Sequence, residues 1–447
     1  MADEQRDEPS EEDFRDMLRE FLSGNSDLDP GRLASAAGLP SDPELVQRLI
    51  AQLQQALQSS GDGINWDLAL EQARGLASRS AVPATPGEQS ALEQALHVAA
   101  LWLDETTDIA ALTAEPVLLT RAGWAEATMP VWTQLAEPVA LSIADALTEV
   151  LEEQTPAEFV GMLGNAGQLM RNVGGTLFAM QLGQVVGQLA TEVVSGGDIG
   201  IPLLDGERRQ AALVAQNVDA FGAGLDIPLE EIRLYLAVRE LAHARLFRHA
   251  RWLRLQLLTQ ITDFARGIRI DTARLEELAA DFDPSNPEEL RAAVTSGALI
   301  PPKSEEQLAA LSRLETMLAL IEGWVDVVTA SATMRLPKSA AIAETVRRRR
   351  AAGGPAESAF ATLVGLELRP RRLREAAAMW QAVQDAVGAE GRDALWAHPD
   401  ILPGDADIDD PTALVARLRS GEPVMDDVDQ ALEDLLNDET GDRPHEE

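Results

Sequence analysis

With 447 residues, 45% of them hydrophobic, the chain can bury a large core and has the length for more than one domain. Its formal net charge of −37 argues against nucleic acid and anionic membrane surfaces as partners, because their phosphates would repel it. The absence of cysteine excludes disulfides, thiolate metal sites and a cysteine nucleophile, and fits a reducing cytoplasm.

The chain opens on MADEQRDEPSEED, which lacks the basic and then apolar pattern of a secretory signal. Residues 1–30 hold 11 acids against 3 arginines and predict a disordered acidic arm. Residues 404–447 hold 15 acids against 3 arginines, so a second acidic and largely mobile tail is expected there. Between them, residues 31–403 should form one compact body. Few aromatics, at 4%, and short β-branched runs favour helices, so the fold class is mainly α with little or no sheet.

Ser41, Pro43 and the apolar positions Leu45, Val46, Leu49, Ile50, Leu53 and Leu57 predict a helix over 40–60. Asn65 opens another through Ala77. A Pro-containing linker at 79–88 precedes a long helix to about Trp102. The segment Arg121–Glu152 has a helical pattern that Pro130 and Pro138 should interrupt. From Val173 to Thr191 the chain is uncharged and rich in glycine, a length that would suit a membrane span. However, Gln181, Gln184 and Gln188 lie on one stripe of it. Residues 161–194 are therefore read as a buried hairpin, with small residues such as Gly183 and Gly187 letting helices approach closely.

After a loop at Ser195–Pro202, a helix is predicted over Glu207–Val218. Asp226-Ile-Pro-Leu-Glu-Glu231 then marks a strong helix start, giving a helix over 228–249. Residues 281–304 form a Pro-, Asp- and Ser-rich connection. Helices are expected over 305–333, 339–351 and about 356–386.

The helix over 228–249 carries Arg239-Glu240-Leu241-Ala242-His243, one residue away from the zinc-peptidase signature H-E-x-x-H. In that signature two histidines one turn apart hold Zn²⁺ and the glutamate is general base on the metal-bound water. Arg239 and His243 differ by about 40° around the helix and Glu240 by about 60°, so all three can serve one site. An arginine has no lone pair to give a metal at physiological pH. His249 has the spacing of a third histidine ligand, but Leu246 stands where the required glycine turn would be. A continuous helix turns His249 about 120° away and about 9 Å further along, leaving it a helix-end or outer-layer role. In the helix over 305–333, Glu322 and Asp326 lie at i and i+4 on an otherwise apolar face and need partners.

These blocks, with INWDLALEQA at 64–73, ALWLDETTDI at 100–109, WAEATMPVWTQLAEPVA at 124–140, RELAHARLFRHARWLR at 239–254, LALIEGWVD at 318–326 and GLELRPRRLREAAAMW at 365–380, carry a family resemblance. The sequence resembles the actinobacterial branch of a zincin-like family described as hydrolases or zinc-dependent metalloproteases, the branch with R-E-x-x-H for H-E-x-x-H. The resemblance implies a zincin-like helical body, Glu240 as general base, and His243 and Glu322 as ligands of zinc.

Arg239 departs from that pattern. A guanidinium beside Zn²⁺ would add like-charge repulsion unless acids compensated it. The economical alternative has Arg239 occupy the metal's place and clamp Glu322, Asp326 or Glu240. Three functional readings stay open. One is a catalytically silent relative that keeps a cleft for a peptide or protein. Another is an active metal-dependent peptidase with an altered ligand set, and the third is a scaffold protein acting through its acidic tails. The basic run Arg347–Arg350, with Arg369, Arg371, Arg372 and Arg374, is read first as a solvated or tail-neutralising face. A phosphate or acidic-partner site is the alternative.

Overall fold

In the structure, a computed structural model, residues 64–154, 175–204 except 177, 210–266, 303–351 and 372–420 are described, together with 361 and 363. The expected acidic arm, the helix over 40–60, the connection over 281–304 before Lys303 and the chain beyond 420 lie outside the described residues.

Local chemistry starts the helices where the sequence signals them. Helix α1 spans Trp66–Ser78. Helix α2, Pro86–Asp104, begins with Thr85 as cap and Pro86 in the first turn. The Thr85 backbone N–H donates to Glu88 at 2.7 Å and the Glu88 N–H to the Thr85 hydroxyl at 3.3 Å. Strand β1, Val117–Leu119, leads into helix α3, Arg121–Gln154. Contrary to expectation, Pro130 and Pro138 lie inside one continuous helix. Each proline removes the hydrogen bond to the carbonyl four residues earlier, at Glu126 and Gln134. Both of those residues are exposed, so water can take the freed carbonyls.

Helix α4, residues 178–190, turns Gln184 and Gln188 to solvent and Gly183 and Gly187 inward. A Cβ on Gly183 would sit 2.5 Å from the Ala69 carbonyl oxygen, and one on Gly187 would sit 2.8 Å from the Leu76 Cβ. The glycines thus let α4 lie against α1, the close helix approach that the sequence suggested; of the hairpin expected over 161–194, residues 161–174 lie outside the described residues. Among the described residues no helix is long and apolar enough to cross a membrane.

Of the helix expected over Glu207–Val218, residues 207–209 lie outside the described residues, Ala212–Val214 form strand β2 instead, and 215–218 are helical, opening helix α5, Ala215–Gly222. Ala212-Leu213-Val214 is buried throughout and pairs in parallel with β1, Val117 opposite Ala212 and Leu119 opposite Val214. Its other edge takes the segment around Ser195, through Gly196 N–H to the Ala212 carbonyl and Val214 N–H to the Val194 carbonyl, each 2.9 Å. A three-residue apolar run cannot be told from helix by period, and pairing decides it.

Helices α6, Leu229–His249, and α7, Arg251–Arg266, follow. Then come α8, Glu305–Ala332, capped by Ser304 and Gln307, and α9, Ser339–Ala351. Helix α10 spans Leu373–Ala394 with a break at Gly388, where φ is +78°. Where one helix was expected over about 356–386, α10 starts only at Leu373 and runs past 386, and most of 356–371 lies outside the described residues. Two further helices, α11 (Asp405–Asp409) and α12 (Pro411–Ser420), pack on α10. The tail expected from 404 is therefore folded to Ser420, with Ile408 and Leu414 buried.

The molecule is mainly α-helical, with a single two-strand parallel sheet among the described residues and one compact body. Its core runs through Trp124, Trp132, Trp324, Trp380 and Trp396, all essentially inaccessible. Helix α6 lies at the centre, packed against α2 on one side and α8 on another. It is buried continuously from Tyr235 to Leu246, polar residues included.

Candidate functional site

Three polar side chains of the central helix and two of α8 are buried where α6, α8, α9 and the loop at 194–200 converge. Arg239 is 9% exposed, Glu240 2%, His243 5%, Glu322 1% and Asp326 4%. Charges buried this deeply require partners.

Arg239 Nη2 donates to Glu322 Oε2, so the clamp between α6 and α8 forms on Glu322. The other Glu322 oxygen, Oε1, accepts from Arg350 Nη2 of α9. Asp326, one turn on, accepts from Arg347 Nη2 at 2.7 Å and Nε at 3.2 Å. Around these acids α8 is shaped for two jobs. Gly323 lets α10 approach, since a Cβ there would meet the Ala376 backbone at 2.8 Å, while Trp324 sends its N–H to Asp393 at 2.9 Å.

The basic run of α9 is thus not a solvated face. Arg347 and Arg350 reach the two acids of α8. Arg349 pairs with Asp198 Oδ2 at 3.1 Å and donates to the Glu192 carbonyl at 2.6 Å. Arg348 alone of the four is well exposed, paired with Glu344. Burial of complementary acids on α8 and the 194–200 loop draws the other three inward.

Glu240 meets the main chain rather than a cation. Its Oε2 accepts from Gly197 N–H at 2.8 Å and its Oε1 from Ala212 N–H at 2.9 Å, with a further hydrogen bond from Ser195. Burial pushes its carboxyl above the usual range, while the backbone donors of Ala212 and Gly197 and the Ser195 side chain pull the other way. Glu240 therefore joins α6 to β2 and to the loop.

The loop Ser195-Gly-Gly-Asp-Ile-Gly200 roofs the site. A Cβ on Gly197 would fall 2.4 Å from His243 Nδ1. Gly200, at φ +82°, passes so close that a Cβ would sit 2.9 Å from Glu322 Oε1 and 3.1 Å from Arg350 Nη2. Only glycine adopts that backbone without strain in that space. Burial of Asp198 would raise its carboxyl, but Arg349 and Arg350, with the Val194 N–H, outweigh it and hold the group below its ordinary value.

His243 is held down to a pKa of about 3, first by burial and then by the charges of Arg239 and Arg350. Its imidazole is neutral at physiological pH. Nδ1 faces the loop, Phe247 lies 4.8 Å away ring to ring, and Nε2 is buried without a hydrogen-bond partner. Arg239, Glu240 and His243 line one narrow cavity with Ser195, Asp198 and Arg350, with room for about one water. His249 does not join them. It is the last residue of α6, exposed, and away from the cavity lining, so the outer-layer role considered for it has no support in the geometry.

The donor set does not fit a zinc ion. A catalytic zinc takes three protein ligands and a water. His243 offers one free nitrogen, Arg239 cannot ligate, and both oxygens of Glu322 are taken by guanidinium groups. Among the described residues no group of three His, Cys, Asp or Glu side chains is placed to hold a metal.

Residues 64–415 match the zincin-like metallopeptidase family. The chain belongs to that family. No curated protein matches it. In fold it is similar to the crystal structure of "a putative hydrolase with a novel fold" from Chloroflexus aurantiacus. The TM-score is 0.54 and the identity 20%, over 80% of this chain and 99% of that one. At that identity the likeness concerns the fold.

Sequence reasoning singled out the run holding Arg347, Arg349 and Arg350 without placing it here, and it missed Asp198, Gly197, Gly200 and Tyr235. Tyr235 lies one turn before Arg239, and burial pushes its phenol up to about 12. Two signals were present in the sequence. Four consecutive arginines on so acidic a chain needed acidic partners, and a Gly-Gly-Asp-x-Gly run marks a main chain pressed against something.

Proposed function

We propose that this chain is a zincin-like protein in which an arginine–carboxylate network has replaced the metal centre. It belongs to a branch marked by R-E-x-x-H, has lost metal-dependent peptidase chemistry, and keeps the surrounding cleft for a peptide or protein ligand in the cytoplasm. The observation that carries this reading is the double engagement of Glu322 by Arg239 and Arg350, which leaves the family's acidic ligand position without a free oxygen. Glu240 agrees with it. A carboxylate committed to two backbone amides is a structural acceptor first and a poor candidate for moving protons. Because the inner cavity admits only about one water, a peptide would dock across its mouth, where Arg349 lies over Phe221 at 5.9 Å.

One observation favours a second reading, an active enzyme with an altered ligand set. His243 Nε2 is buried and unpartnered, as a ligand nitrogen awaiting an ion would be. Metal analysis of purified protein decides between them. The network reading expects far less than one zinc per chain, unchanged in His243→Ala and Glu322→Gln. Stoichiometric zinc that both substitutions abolish would establish the enzyme reading instead.

A further inference from the structure

The R-E-x-x-H motif draws attention to Arg239, yet a single guanidinium replaces a ligand without replacing the ion. Removing a divalent cation from among buried acids leaves two positive charges to be supplied. Arg239 brings one. The other comes from outside the motif helix. Arg350 of α9 donates Nη2 to Glu322 Oε1 and Nη1 to the Asp198 carbonyl, with its side chain only 12% exposed.

The surroundings are built to receive it. Gly200 turns through φ +82° directly over the Arg350–Glu322 pair. Flanking residues of α9 fix the helix in place: Arg347 on Asp326, Arg349 on Asp198 and Glu192, and Val346 in the cavity wall. His243, with its free Nε2, lines the same cavity as Arg350.

We propose that Arg350 is a built-in counter-ion that, together with Arg239, occupies the place and charge of the family's metal. Exclusion of metal then rests on two arginines from two helices, and restoring the histidine of H-E-x-x-H is not enough to restore a metal site. The inference builds on the metal-free reading above and adds a residue that the motif does not contain.

Four proteins test it: wild type, Arg239→His, Arg350→Met, and the double substitution. Methionine keeps apolar volume at 350 and removes the charge. Each is dialysed against zinc, and the retained metal is counted. Cobalt is then substituted, and its visible absorption reports nitrogen and oxygen ligation without reference to any activity. Wild type and both single variants are expected to retain no stoichiometric metal, and the double variant about one ion per chain, near the family's single-zinc arrangement. Added zinc should also raise the melting temperature of the double variant and leave Arg239→His unmoved, which reads out binding even where the double variant is destabilised.

If Arg239→His alone retains as much zinc as the double variant, Arg350 has no part in exclusion and the inference falls while the metal-free reading stands. A double variant with neither retained metal nor a zinc-dependent melting shift overturns it as well. Stoichiometric zinc on the wild-type protein would overturn the metal-free reading itself.

Discussion

At the scale of single residues, the site is governed by the cost of burying charge. Arg239→Ala would leave Glu322 at 1% exposure with Arg350 as its remaining partner. Breaking a buried pair costs about 3–5 kcal/mol, and the surviving partner places this variant near the lower end. Urea unfolding should therefore show a loss of about 3 kcal/mol, and a variant as stable as wild type would rule out the clamp. His243 makes a separate prediction about pH. Its folded pKa, about 3, lies below the ordinary 6.5, so the unfolded chain takes up a proton that the folded protein refuses. The stability this neutral imidazole contributes is full above pH 6.5 and is lost as pH falls towards 3. The limiting slope is about 1.4 kcal/mol per pH unit. The difference in unfolding free energy between wild type and His243→Gln should shrink across that window, and a difference flat from pH 7 to pH 4 would show that His243 does not titrate as its burial requires. The sequence marked Arg239, Glu240, His243, Glu322 and Asp326 because helical spacing alone puts them on shared faces. It offered Glu322, Asp326 or Glu240 as the partner of Arg239, of which Glu322 is the one engaged, but it named neither Arg350 nor the Gly197 amide, which no spacing along one helix can bring to the site.

Helices announce themselves through caps and period, and the contacts between them do so through small residues. Ser304 with Gln307 marks a start that the sequence placed correctly, whereas Thr85 with Glu88, an equally local reciprocal pair, starts α2 three residues inside the linker expected over 79–88. What period could not decide was Ala212-Leu213-Val214, whose strand character depends on Val117–Leu119 nearly a hundred residues earlier. Nor could it show that Pro130 and Pro138 leave their orphaned carbonyls on the wet side of α3. The α1–α4 contact offers a direct check. Gly183→Ala would press a methyl to within 2.5 Å of the Ala69 carbonyl oxygen, closer than real side chains come. Overpacking of this kind costs about 1–3 kcal/mol, against a helix-propensity gain of about 1. Gly75→Ala, also helical but with nothing within 4 Å of the new methyl, keeps the gain without the clash. Melting curves should move in opposite directions, down for position 183 and up for position 75. A shift of the same sign at both would mean that the glycines of α4 are not there for close approach.

For the molecule as a whole, composition foretold a helical body but misplaced its C-terminal edge. Acids crowd the sequence after Pro403, and charge density alone reads as solvated tail. The acids at 405 and 409 instead meet a cation of the body, and the acid at 407 meets one on α12 of the same segment. Arg372 donates to Asp405 at 2.9 Å and pairs with Asp409, while Arg417 donates to Asp407 at 2.8 Å. Ile408 and Leu414 lie beneath them at 4% and 2% exposure. The pairs at the surface contribute little, so the apolar contacts decide. Burying each aliphatic side chain is worth about 1.5–3 kcal/mol, so a chain ending at Pro403 should lose about 3–6 kcal/mol relative to one ending at Ser420. The loss should spread beyond the cut, because α11 and α12 cover α10. That helix carries the buried Arg392–Asp393 pair, which receives the Thr107 hydroxyl at 2.6 Å and the Trp324 indole at 2.9 Å. Urea midpoints for the two truncated chains measure it. Equal midpoints would return residues 404–420 to the acidic tail, whereas a lower midpoint for the shorter chain makes them the outer wall of the body that holds Glu322 in place.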